Sequence, residues 1–306
     1  MFDLDVFFVQ QLVNGLSVGL IYALMAIGFT LIFGVLNVVN FAHGEVYMIG
    51  AFAGLWLITQ LAPPLLVVIL AVLACGALVG FGLERIAFRP FRRFRDEASL
   101  KSKAMREATL LSSLAVSIIV REVTEKVFGS NMQPIPQEYL LLTPIEIGPL
   151  TFASGQFLIF GLAGTMLAGL TWLLKRTRIG LAIRAVASNP MGAAYVGIHT
   201  ERTIIATFVI GSMLGSAAGL VVGLYQGAIF PAMGFAPAVK AFVAMVMGGL
   251  SSITGAVVCA LILGLAEAVT TYYFAQGWGD LVAYLFLVMT LIFFPTGLFG
   301  AGRERV

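Results

Sequence analysis

Charge is the scarcest commodity in this sequence. Only 11% of its 306 residues are Asp, Glu, Lys or Arg and 60% are hydrophobic, whereas a soluble domain carries roughly a quarter charged residues. Such a chain cannot coat a water-facing globule. Cysteine is nearly missing as well. Cys75 and Cys259 both sit inside apolar runs, which reads as small core residues rather than a disulfide or metal pair. No G-x-x-x-x-G-K-[ST] phosphate loop, H-E-x-x-H or G-x-S-x-G occurs, so the residues support no enzyme, no catalytic group and no ATP binding by that route. A basic surface interleaved with aromatics, the mark of a nucleic-acid partner, is lacking too. Segments of about ten residues with alternating polarity are also absent, and the run from Leu65 to Gly82 shows no alternation, which excludes a β-barrel. The opening Met-Phe-Asp-Leu-Asp has no basic n-region, so no removable signal peptide is expected.

What the chain has is long apolar stretches, each close to the ~20 residues a helix needs to cross ~30 Å of hydrocarbon. They fall near 7–36, 44–62, 64–86, 107–128, 153–174, 203–224, 238–250, 255–274 and 279–297. In lipid, backbone groups must be satisfied within their own segment, so the expected fold is an all-α polytopic membrane protein. It has about 8–10 transmembrane helices, short or broken ones included, in a single domain over 1–306. The first stretch is too long to cross untilted, and the seventh is short and interrupted by Gly248–Gly249. Broken segments of that kind line cavities in transporters.

Lys and Arg are clustered. None precedes Arg85, eight lie from Arg85 to Arg106, and Lys175, Arg176, Arg178, Arg184 and Arg202 form a second group, with Arg303 and Arg305 at the end. The positive-inside rule places loops at about 87–106 and 175–203 in the cytoplasm. The loop at about 129–152 has no Lys or Arg and four prolines, as an external loop should. Counting three spans back from Arg85 puts the N-terminus outside, if 7–36 is one span. Phe91, Phe94 and Leu100 punctuate the basic stretch 85–106, which reads either as a solvated loop or as an amphipathic segment on the inner leaflet.

Three clusters carry possible function. From Thr177 to Thr203 the chain is too polar to cross and too patterned for a plain connector. Asn189 before Pro190 is a helix start and Gly197 a stop, predicting a short helix at about 190–196 after another near 179–187. The small residues Ala182, Ala185, Ala193 and Ala194 suit docking against a partner. Second, the run from Asn37 through Asn40, His43 and Glu45 interrupts two apolar stretches. It either breaks a helix along a transport path or solvates a turn at the interface. Third, Lys240 and Glu267 lie in apolar segments, where an unpaired charge costs ~2.5–3.5 kcal/mol. Lys240 is expected to pair with Glu267 or Glu45, as a gate or as a buried strut. A faint repeat with an offset of 195 residues sets Glu45 opposite Lys240.

Asn40-Phe-Ala-His-Gly-Glu-Val-Tyr-Met-Ile-Gly50 resembles the signature of the LivH-type permease of branched-chain amino-acid ABC importers. Met247-Gly-Gly-Leu-Ser-Ser-Ile-Thr-Gly-Ala256, Ile262-Leu-Gly-Leu-Ala-Glu-Ala268, Arg178 to Arg202 and Phe294-Pro-Thr-Gly-Leu-Phe-Gly300 are similar too, so the resemblance runs over essentially the whole chain. It implies a bacterial inner-membrane permease working with a second related permease subunit. Two cytoplasmic ATPase subunits would carry ATP and Mg, with no cofactor on this chain, and a periplasmic amino-acid-binding protein would deliver substrate. By position, Arg178, Arg184, Asn189, Pro190, Ala193 and Gly197 would meet an ATPase, and 129–152 the binding protein. Asn37, Asn40, His43, Glu45, Lys240 and Glu267 are the path candidates. Relatives for urea or short amides, and an ion-coupled secondary transporter, are the alternative readings. The basic stretch at 92–106 departs from the family pattern.

Overall fold

The computed structural model describes residues 6–92, 103–141, 143–274 and 277–300. The basic stretch at 93–102 and the final arginines therefore lie outside the described residues. Helix α1 is Val6–Leu36, α2 His43–Leu61 and α3 Leu65–Leu83, the last extended by a π-helical turn at Glu84–Phe88 and a short turn at Arg89–Arg92. Then come α4 (Lys103–Phe128), α5 (Ser154–Arg176), α6 (Arg178–Ser188), α7 (Pro190–Tyr195), α8 (Thr200–Gln226), α9 (Phe235–Gly248), α10 (Ile253–Tyr273) and α11 (Trp278–Phe293). Among the described residues six helices are long and apolar enough to cross a membrane, namely α1, α2, α3 with its extension, α5, α8 and α10, while α9 and α11 are shorter apolar helices. Helix α4 covers the expected segment at 107–128 but carries Glu107, Arg121, Glu122, Glu125 and Lys126, which keeps it out of the six.

The first stretch is one continuous helix of 31 residues, about 46 Å long at 1.5 Å per residue. It packs antiparallel to α10, with Phe8 against Tyr272 at its start. With α8 it forms the centre of the bundle: 78% of α1's most apolar stretch and 72% of α8's are buried, against 22% for α3 and for α5. Glycine makes this possible, since small residues let membrane helices approach to backbone contact. A Cβ placed on Gly28 would lie 3.0 Å from the Gly211 carbonyl oxygen, and one on Gly211 would lie 3.2 Å from that of Gly28. Gly15 and Gly19 admit α10 in the same way, and Gly76 and Gly80 on α3 admit α8.

Four polar contacts fix which ends lie together. Arg89 reaches Glu201 at 3.3 Å, joining the basic end of α3 to the start of α8. At the opposite end Thr151 N–H donates to Gln10 Oε1 and the Tyr139 hydroxyl to the Pro63 carbonyl. There β1 (Gln133–Pro134) also pairs antiparallel with β4 (Ala228–Ile229), beside a hairpin of β2 (Pro144–Ile147) and β3 (Leu150–Ala153). The proline-rich loop, the start of α1, the α2–α3 turn and the end of α8 thus share one end of the molecule.

The repeat is visible as architecture. A long helix, an irregular break and two further helices occur as α1–α2–α3 and again, running the opposite way, as α8–α9–α10. Each long helix packs on the third helix of the other unit. Counted from their helix starts, Glu45 corresponds to Pro237, with Lys240 about one turn beyond, so the 195-residue offset is a few residues too long.

A side chain at Gly219, whose Cβ would collide with the Tyr47 carbonyl, costs about 1–3 kcal/mol in overpacking. Gly219→Val is therefore expected to lower the yield of monodisperse protein in detergent several-fold. Gly161→Val, where nothing lies within 4 Å, leaves it unchanged by size-exclusion chromatography.

Candidate functional site

The break between α1 and α2 is built from its asparagines. Asn37 takes a left-handed φ of 54° and its N–H donates to the Phe33 carbonyl at 2.7 Å, ending α1 as Asn can and β-branched residues cannot. Asn40 is buried, and its Oδ1 accepts from the Ala42 N–H at 3.1 Å while its carbonyl accepts from His43 N–H. The Phe41 N–H donates to Ser113 Oγ, tying the break to α4. The chain then turns back into the bundle. His43, fully buried, lies edge-on to Phe29 with ring centres 4.7 Å apart and fills the notch at Gly28, about two turns before the end of α1.

Helix α2 therefore starts inside the protein, and α9 meets it there. Gly44 and Gly234 touch through their backbones: a Cβ on Gly44 would sit 2.9 Å from the Gly234 carbonyl oxygen, and one on Gly234 would strike that of Gly44. Both helix starts, preceded by Ala42 and Gly234, lack a side-chain cap. Their first amides turn to local carbonyls instead: His43 N–H donates to Asn40, Glu45 N–H to Ala42 and Phe235 N–H to Ala232. A cavity of about 110 Å³ opens beside this junction. Phe29, Val39 and Phe41 wall it from α1 and the break, Gly44 and Glu45 from α2, Leu114 and Ser117 from α4, and Phe235, Ala238, Val239 and Phe242 from α9. Its only acid among the described residues is Glu45, 8% exposed, whose Oε1 accepts from Ser117 Oγ at 3.0 Å. A larger hollow, between Leu167 and Arg176, is walled by α5 alone.

Lys240 and Glu267 come together elsewhere. Lys240 Nζ stands 3.0 Å from Glu267 Oε1 and 2.7 Å from Asp280 Oδ1. The Tyr22 hydroxyl donates to Glu267 Oε2 at 3.0 Å, and the ammonium lies 5.5 Å from the centre of the Tyr22 ring. Four helices, α1, α9, α10 and α11, are thereby tied through one cation. Of the two partners proposed for Lys240, Glu45 is not used. Asp280 and Tyr22 escaped notice in the sequence, although Asp280 stands at the head of the last apolar stretch, where a charge signals a partner. Asp280 is 60% exposed and keeps one side of the cluster in contact with its surroundings.

The patterned loop folds as two short helices. Thr177 Oγ1 caps α6 by accepting from Gly180 N–H at 3.1 Å, and Asn189 Oδ1 caps α7 by accepting from Gly192 N–H at 2.9 Å, with Pro190 at the first position. Gly197, at φ 86°, stops the second. Arg178 and Arg184 are exposed. Ala193 is buried, its carbonyl accepting from Ile198 N–H, so it braces the elbow instead of facing outward. The outward apolar groups are Ile179, Leu181, Tyr195 and Val196, the last two 85% and 77% exposed.

A family model described as the branched-chain amino acid transport system permease component matches residues 11–291. The sequence is 36% identical to the high-affinity branched-chain amino acid transport system permease protein BraD of Pseudomonas aeruginosa, across 96% of both chains. It is 33% identical to the permease protein LivH of Escherichia coli, again over 96% of each. Against the probable branched-chain amino acid transport permease protein LivH of Methanocaldococcus jannaschii the identity is 28%, over 92% of this chain and 90% of that one.

Removing one member of a buried ion pair leaves the other uncompensated, which costs about 3–5 kcal/mol. Lys240→Met is therefore expected to lower the unfolding temperature in detergent more than Lys240→Met combined with Glu267→Gln. Additive losses would show that the two do not act as a pair.

Proposed function

Because this chain belongs to the branched-chain amino acid transport permease family and is a multi-pass membrane protein, we propose that it moves branched-chain or related amino acids inward across the bacterial inner membrane as one of two permease subunits in an ATP-driven importer. The observation that carries this reading is the match along nearly the whole length, breaks and short helices included, to relatives named for that transport. ATP and Mg belong to two separate cytoplasmic ATPase subunits, and a periplasmic binding protein supplies the amino acid.

The division of labour follows the two ends of the molecule. The Arg85 end, with α6 and α7, faces the cytoplasm, in line with the positive-inside rule. Its exposed mixture of Arg178, Arg184, Ile179, Leu181, Tyr195 and Val196 suits a protein contact better than water, since aromatic and arginine residues dominate interface energetics. The hairpin end, with Gln133–Pro134 and Pro144–Ala153, meets the binding protein. Within the bundle, the junction of α2 and α9 lies where the path changes hands between the two repeats. An ion-coupled mechanism has less to draw on, because Lys240, Glu267 and Asp280 are already committed to one another.

Tagged chain, expressed with the ATPases and second permease of its own organism, is expected to bring all of them through purification. Arg184→Glu with Tyr195→Ala removes contacts of the kind worth about 2 kcal/mol or more at interfaces. ATPase recovery should fall several-fold while the amount of chain in the membrane is unchanged, as read by quantitative mass spectrometry. Undiminished recovery would remove α6–α7 as the docking element.

A further inference from the structure

The cavity between α1, α2, α4 and α9 sets one carboxylate and one hydroxyl among apolar walls. One wall is a carboxylate, Glu45, buried in an apolar surround. A charge so placed is costly in hydrocarbon and needs a cation or several donors to hold it. Ser117 supplies one hydrogen bond, at 3.0 Å. Arg121, one turn further along α4, pairs with Glu125 at 3.4 Å and its charge also reaches Glu45. The remaining side chains are aromatic or aliphatic, with Phe29 and Phe242 on one side and Leu114 and Val239 on others. On the floor, the starts of α2 and α9 meet at Gly44 and Gly234; the N–H groups of His43, Glu45 and Phe235 already donate to nearby carbonyls and Pro237 has none, so what the junction offers an anion is the positive ends of two helix dipoles. One water needs ~10–15 Å³, so about 110 Å³ takes several waters or one small organic solute.

We infer that this cavity is a stopping place for one zwitterionic amino acid, with its ammonium on Glu45 and its aliphatic side chain against Phe29, Leu114, Val239 and Phe242. The carboxylate then lies toward the paired helix starts of α2 and α9. Positive ammonium meets the acid on the cavity wall, negative carboxylate meets the positive ends of two helices, and a branched hydrocarbon side chain meets rings and methyl groups. A neutral amide leaves Glu45 uncompensated, and a strongly polar side chain finds no partner on the apolar walls. The inference rests on the importer reading above and assigns it a site.

The test uses the assembled transporter with Cys75→Ala and Cys259→Ala, to which Val239→Cys is added as a reporter on the cavity wall. Val239 is half-buried and the change is small, so assembly is retained. Labelling by a small methanethiosulfonate reagent is followed by mass spectrometry. Leucine at ten times its dissociation constant should slow labelling about tenfold. 4-Methylpentanoate, which has the same side chain without the ammonium, should not. Adding Glu45→Gln should abolish the protection by leucine, and where that variant assembles poorly, Ser117→Ala should weaken it. Three results overturn the site: no protection by leucine, equal protection by 4-methylpentanoate, or full protection with Glu45→Gln. If the unsubstituted complex carries out ATP-dependent leucine uptake, any of these removes the site and leaves the importer reading standing. If that complex shows no such uptake, the importer reading fails, and the site assignment with it.

Discussion

In hydrocarbon no release of water drives one helix onto another, so close packing has to supply the attraction, and here it begins where α1 crosses α8. Gly28 and Gly211 bring those two backbones together, and every other major contact is arranged around that crossing. α10 lies along α1 and α3 along α8, each through its own pair of small residues. The notch at Gly28 is also where His43 lodges, which pins the start of α2 at depth. A larger residue at the crossing would therefore disturb the helix pair, the break and the junction with α9 together.

Charge is handled by the same economy. Few ionisable groups are buried, and those singled out in the sequence each find a distinct solution. Lys240 is shared between Glu267 and Asp280 and covered by Tyr22, which makes a four-helix knot of a residue that would otherwise be expensive. Glu45 has the hydroxyl of Ser117 and an opening beside it. The first arrangement holds helices together; the second leaves room for something to arrive.

Much of this was legible from residues alone. Apolar length located the helices within a few positions, and Asn189-Pro190 and Gly197 marked α7, because capping chemistry is local. Cost required a partner for Lys240 and left Glu267 and Glu45 both open; the fold brings Glu267 to it. What sequence could not supply was depth. Asn37, Asn40, His43 and Glu45 sit within nine positions of one another, yet Asn37 ends a helix at the surface, His43 is sealed in the core and Glu45 faces a cavity. That sorting depends on α1 running about two turns past the point to which the chain returns. Ala193 misled for a related reason: a small residue on a short helix serves equally to admit a partner or to close an elbow, and only the fold decides. Ser117 carries no charge to mark it as a partner and lies 72 residues from Glu45, while Asp280 at the head of the last apolar stretch carried a signal that went unread.

The two-residue pairing of Gln133–Pro134 with Ala228–Ile229 is easily passed over as trivial secondary structure. Mechanically it is a linkage. It fastens the proline-rich loop to the segment that joins α8 to the head of α9, only a few residues before Gly234. That segment is anchored along its length, with Ile229, Pro231 and Met233 all buried. The loop and the helix whose first turn floors the cavity are thus separated by a single short strand and a few buried residues.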